Sequence, residues 1–117
     1  EAAWSPAGDR SARVYGGPAS RRLGVISAES GALEWSRPTN AQSYWVRWTR
    51  DGSALLTSGL GEDRSNVWRI PFRGEPTKMT NFRDQIALCV DISPDGKELA
   101  LLRSRSQRDA VLITGFD

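Results

Sequence analysis

The chain has no histidine among its 117 residues. That removes Ser-His-Asp and Cys-His catalysis and every imidazole metal site. A single cysteine, Cys89, excludes an internal disulfide and argues against a cysteine metal site. Its setting, Leu88-Cys89-Val90, reads as a small core residue rather than a reactive thiol. An excess of one charge is missing too: 16 Lys and Arg stand against 14 Asp and Glu, for a net +2. That balance is too mild to argue for nucleic acid, and the bland reading is a mixed, solvated surface rather than a phosphate-binding groove. The basic residues are mostly arginine, which favours fixed, bidentate contacts over diffuse attraction. No signal peptide and no run of about 18 apolar residues is present, so no membrane contact is expected of this segment. Nothing has helical spacing, and Gly16-Gly17 and Gly59-Leu60-Gly61 therefore read as loop glycines rather than as a phosphate loop opening a helix. No cofactor and no metal are expected.

What is present is a repeat. Ile92-Ser93-Pro94-Asp95-Gly96-Lys97 has earlier copies at Trp48-Thr49-Arg50-Asp51-Gly52-Ser53 and Trp4-Ser5-Pro6-Ala7-Gly8-Asp9, each 44 residues from the next. A fixed period of that size means stacked supersecondary units. Each copy reads as a short apolar strand, a turn opened by Ser or Thr and supplied by Asp-Gly, and a second apolar strand. Asp-Gly tolerates the positive φ that a tight hairpin turn requires. Copy one is eroded, with Ala7 in place of the turn aspartate and a poorly apolar second strand at Ser11-Ala12-Arg13-Val14-Tyr15.

The pattern Ser93-Pro94-Asp95-Gly96-Lys97-Glu98-Leu99-Ala100-Leu101, with Asn66-Val67-Trp68-Arg69-Ile70-Pro71 and 74–82 between motifs, resembles the WD40-like (PD40-type) repeat of TolB-like β-propellers. The likeness extends over the whole chain. It is nearest to the C-terminal blades of propellers attached to bacterial Ser/Thr kinases or winged-helix regulators. The absence of histidine sets the chain apart from true WD40 repeats, which carry a Gly-His signature. The resemblance implies an all-β fold of three four-stranded antiparallel blades, the last lacking its fourth strand, within a propeller of six. It also implies a non-catalytic binding or scaffold module and a periplasmic or extracytoplasmic setting. The alternative is the substrate-gating propeller of a prolyl-oligopeptidase-like peptidase.

Taken in order, the repeats span 1–43, 44–87 and 88–117 in a single partial propeller domain. Repeat one places strands at 2–4, 12–15, 23–27 and 32–35. Repeat two places them at 44–48, 54–57, 67–70 and 77–80, and repeat three at 88–92, 98–102 and 110–114. Three blades are fewer than the roughly four to eight that close a propeller. A chain of this kind, which opens on Glu rather than Met, reads as a piece of a longer protein continued by upstream blades, or as a homodimer that closes a six-bladed ring.

Candidate functional residues follow from the strand order. In an up-and-down blade the loop between strands two and three emerges opposite the Asp-Gly turn. Those loops, 16–22, 59–66 and 103–109, hold Arg21, Arg22, Arg64, Arg103, Arg105 and Arg108, partly offset by Glu62, Asp63 and Asp109. Either this is ordinary loop polarity or it is a rim that accepts a protein partner or a small anionic ligand. Asp51 and Asp95 could pass for catalytic carboxylates, yet each sits in its own hairpin turn. Trp4 and Trp48 occupy equivalent positions, as packing residues do, and Trp48 is expected between neighbouring blades. Trp45, which the resemblance puts on the strand nearest the propeller axis, is the best candidate among the tryptophans to line a channel or pocket, the alternative being ordinary packing.

Overall fold

The computed structural model describes residues 2–17, 19–39, 45–60, 63–81, 86–93, 95, 97–104 and 109–114. Side chains are described for all of these except 64, 65, 86–92, 99, 101–104 and 109–113. Within this set eleven strands form three antiparallel sheets, and no helix is present. The first sheet runs in sequence order through β1 (Ala2–Trp4), β2 (Arg10–Tyr15), β3 (Arg22–Ser27) and β4 (Leu33–Pro38). The second contains β5 (Arg47–Trp48), β6 (Ala54–Leu60), β7 (Asp63–Pro71) and β8 (Thr77–Lys78). The third contains β9 (Ile86–Ile92), β10 (Glu98–Ser104) and β11 (Asp109–Thr114), with no fourth strand among the described residues.

The repeated turn has the same wiring each time. Ser5 N donates to Arg10 O at 2.8 Å, Thr49 N to Ala54 O at 3.0 Å, and Ser93 N to Glu98 O at 2.9 Å. In return, the backbone N–H groups of Arg10, Ala54 and Glu98 donate to the hydroxyls of Ser5, Thr49 and Ser93. Gly8 and Gly52, at equivalent positions, both have positive φ (74° and 72°), which a residue with a Cβ adopts at a cost. The erosion of copy one is compensated locally. Thr49 and Ser93 donate their hydroxyls to Asp51 and Asp95, whereas Ser5 donates to Asp9 at 2.8 Å. The carboxylate has moved two residues along the turn and still meets the same hydroxyl.

The core forms where the first two sheets face each other. Ala12, Val14, Leu23 and Val25 meet Val46, Trp48, Leu55 and Ile70, all buried. Alternation along β2 and β3 places the first four on one face, as a sheet packed on that side requires. Trp48 is 6% exposed, and its Nε1 donates to Ala3 O at 2.8 Å, so the expected place of Trp48 between blades is met. Around it Phe72 packs at 5.6 Å from the Trp48 ring and edge-on to Trp35 at 5.0 Å. Arg10 lies 4.9 Å over the Trp48 ring and donates to Gly52 O, tying the first sheet to the second turn. On the far side of β6 and β7, Leu56, Ser58 and Val67 are buried where β9 lies against these strands.

Three expectations are corrected. Of the expected loop 59–66, the described residues 59, 60 and 63–66 lie on strands: β6 continues to Leu60 and β7 begins at Asp63, with Leu60 paired to Asp63. A bulge between Ser58 and Leu60, with Gly59 at φ 77°, absorbs the extra residue and lets the hairpin lengthen. The inner strand of repeat two is shorter than expected, since only Arg47 and Trp48 pair with β6. Trp4 is not a packed equivalent of Trp48: it is 63% exposed, because its face of the first sheet is covered by no described residue.

Candidate functional site

Each sheet puts its Ser/Thr turn at one end and the connection between its second and third strands at the other. The expected arginine rim belongs to the latter end. Arg21 closes the 16–21 connection, half-buried, with its carbonyl accepting from Thr39 N at 3.0 Å. Arg22 stands on β3 rather than in a loop, and its Nη2 donates to Ser36 Oγ at 2.9 Å. That bond holds the guanidinium over the end of β4. Arg64 and Arg103 also lie on strands, β7 and β10, and their side chains are outside the described residues. Arg105 and Arg108 lie outside them altogether.

One arginine at this end escapes the sequence reading. Arg37 pairs with Leu23 across β3 and β4, next to the Arg22 and Pro38 rung, and its Nε is buried without a hydrogen-bond partner. The expected fourth strand ends at Trp35 and leaves Arg37 outside it. The longer β4 brings it to the same end of the sheet as Arg21 and Arg22, on the face of Leu23 and opposite that of Arg22. Its only signal in the sequence is alternation from Trp35, which continues through Arg37 to Pro38.

The corresponding end of the second sheet is built differently. Asp63 accepts from Asn66 Nδ2 on both oxygens, at 3.1 and 3.0 Å, and from Trp68 Nε1 at 3.0 Å. Thr80 Oγ1 donates to Asn66 Oδ1 at 2.7 Å and accepts from Val67 N at 3.1 Å. Asp63 is therefore engaged within its own blade, and Trp68 has a polar partner for its indole nitrogen. Trp45 is 4% exposed, and its carbonyl accepts from Thr57 Oγ1 at 3.3 Å. Within this chain its ring is packed rather than presented to solvent.

The turn carboxylates hold fixed, ionised positions. Asp51 accepts from Ser53 Oγ at 2.7 Å, Ser53 N at 3.0 Å and Thr49 Oγ1 at 2.9 Å. These bonds, Ser53 first, lower its pKa from 3.8 to about 2. Asp95 is lowered in the same way by Ser93 Oγ and Lys97 N. A carboxylate stabilised as an anion is a poor proton donor near neutrality, and the geometry makes both groups acceptors for their turns. On this turn side two open grooves differ in charge. One of about 460 Å³ has Asp9, Arg10, Glu29 and Glu34 in its lining, and one of about 380 Å³ has Ser53, Arg69, Phe72 and Arg73.

No family model matches the chain, and no curated protein matches it in sequence. Among solved structures, TolB from Acinetobacter baumannii is similar over 100% of this chain, with a TM-score of 0.74 and 18% identity. The match covers 30% of the TolB chain, so this chain spans less than a third of its length. The sequential four-stranded sheets, the repeated turn and that likeness together give the chain the fold of part of a TolB-like β-propeller.

Proposed function

We propose that the chain is a non-catalytic propeller binding module, whose loop end takes an acidic segment of a protein partner or a small anionic ligand. The observation that carries this reading is that Arg21, Arg22 and Arg37 all stand at one end of the first sheet, Arg22 held on Ser36 on one face and Arg37 paired with Leu23 on the other. A guanidinium with one donor already anchored keeps others in a planar fork suited to a carboxylate or phosphate. In this reading Arg64, Arg103, Arg105 and Arg108 extend the rim across the other two blades, and Trp45 supports it from the inner strand. The side of the sheets that carries the turns is left to structure, since its carboxylates serve the backbone. The TolB-like fold is in keeping with recognition rather than chemistry, because no catalytic constellation is needed to explain any polar contact described above.

A hexaglutamate peptide titrated into labelled protein at low salt tests it. Amide shifts are expected at 16–22 and at the ends of β3 and β4, weakening as salt rises. Replacing Arg21 and Arg22 together by serine should abolish them. Shifts confined to Ser53, Arg69 and Arg73 would move the binding surface to the turn side and overturn the assignment, and no shifts at all would remove the proposed charge preference.

A further inference from the structure

Arg22 and Arg37 stand one rung apart at the loop end of the first sheet, on the adjacent strands β3 and β4. The pleat sends them to opposite faces: Arg22 shares its face with Tyr15, Gly24 and Ser36, and Arg37 shares the other with Val14 and Leu23. The face of Arg37 is the one packed on the second sheet through Val14 and Leu23.

The two guanidiniums differ in what they already hold. Arg22 is anchored, with Nη2 donating to Ser36 Oγ at 2.9 Å, and Ser36 pairs with Gly24, two residues in from the Arg22 and Pro38 rung. The bond therefore draws the Arg22 guanidinium back over its own face, away from the edge around which it could meet Arg37. Arg37 is half-buried and has no acceptor: its Nε is buried without a hydrogen-bond partner, and no ion pair reaches it among the described residues. Asp63, at the same end of the second sheet, turns both oxygens to Asn66 and Trp68 instead. A half-buried guanidinium without an acceptor is costly, and an anion arriving from outside relieves that cost.

A single carboxylate cannot serve both groups, because the sheet lies between them. Side chains on each face fill about half of the roughly 10 Å between stacked sheets, which puts the two guanidiniums about 10 Å apart. Resting on the reading that the loop end takes an anion, we infer that its ligand is an extended acidic segment of a protein partner that straddles the end of the first sheet, with one carboxylate on Arg22 and a second on Arg37. At ~3.3 Å per residue of extended chain, those carboxylates belong to residues about three apart. A small monoanion would meet one guanidinium at a time and gain nothing from the other.

Titration of labelled protein at low salt with hexaglutamate and with N-acetylglutamate α-amide, a monoanion, decides it, read at the Nε–H signals of Arg22 and Arg37. Hexaglutamate should bind at least about tenfold more tightly per carboxylate, because its second contact is intramolecular. Arg22→Gln and, separately, Arg37→Gln should each weaken hexaglutamate about tenfold, as loss of one charge-assisted contact does. Arg37→Lys, which keeps the charge, should retain binding that Arg37→Gln loses. With the monoanion the two sites should be independent, so that each glutamine variant leaves the shift at the other arginine intact. Hexaglutamate that responds to Arg22→Gln but not to Arg37→Gln would overturn the two-point ligand and leave the loop end as an anion site. A monoanion shift lost at the remaining arginine in either variant would mean one shared anion, and would overturn it too. No hexaglutamate shifts in any form of the protein would remove the anion reading itself, and this inference with it.

Discussion

Trp4 and Trp48 carry the same side chain at the same register, and only their neighbours differ, so the pair isolates what blade packing contributes to one residue. Trp48→Ala should cost roughly 3 to 5 kcal/mol, because it leaves a cavity between two sheets and orphans the Ala3 carbonyl. Trp4→Ala should cost less than about 0.5 kcal/mol, as an exposed substitution does. Urea unfolding of the two variants at concentrations below any self-association measures both; equal costs would mean that Trp4 is packed. Asp51 makes a second, pH-dependent prediction. Its folded pKa is depressed, so the stability it contributes is complete above its unfolded value of 3.8 and disappears as the pH falls toward about 2. The group is almost fully solvated, and screening holds the effect below about 1 kcal/mol. Asp51→Asn should therefore lower the urea midpoint at pH 6, with the gap to the parent chain closing between pH 4 and 2. A gap that persists at pH 2 would show that the lost interaction is not the carboxylate's.

At the scale of the element, the sequence disclosed what depends on local chemistry and concealed what depends on ladders. The turn copies, Gly8 and Gly52 and the strands that follow them were legible, because Asp-Gly and alternation act within a few residues. The shift of the turn carboxylate from position 7 to Asp9 was not legible, since it appears only when Ser5 is seen to reach either place. The extension of β6 and β7 was hidden for a similar reason. Glycine at 59 and 61 and the charges at 62–64 read as a loop, while the pairing of Leu60 with Asp63 and the bulge at Gly59 are properties of two strands together. Asp63 fastens that extension through Asn66 and Trp68, so Asp63→Ala leaves a buried amide and an indole N–H without their acceptor. The expected cost is about 1 to 3 kcal/mol. Hydrogen exchange should show the loss concentrated at residues 63–68; unchanged protection there would mean that the network does not hold the hairpin.

On the scale of the whole molecule, the number and order of blades were readable from the period, and the candidate site was readable only in part. Arg21 and Arg22 could be placed because their connection is short, whereas Arg37 required the true end of β4, which alternation alone leaves open. The contact between blades was the least legible feature, since Arg10 and Phe72 belong to no repeated motif. Both meet Trp48, Arg10 by stacking and by its bond to Gly52, and Phe72 by packing against Trp48 and Trp35 together. Stacked repeats are stabilised by each unit and by each interface, and weakening an interface separates the unfolding of the units it joined. Phe72 follows β7, and its backbone N–H, which donates to Ser53 O, is untouched by the substitution, so Phe72→Ala should spare the second sheet and loosen the first. The substitution removes the ring that Trp35 meets edge-on and one of the two rings under Arg10, a loss of about 2 to 3 kcal/mol for a half-buried aromatic. Amides of β2 and β3 should then exchange at least tenfold faster, while those of β6 and β7 change much less. A uniform acceleration across both sheets would mean that they unfold as one unit, and that Phe72 supports the second sheet rather than the contact between the two.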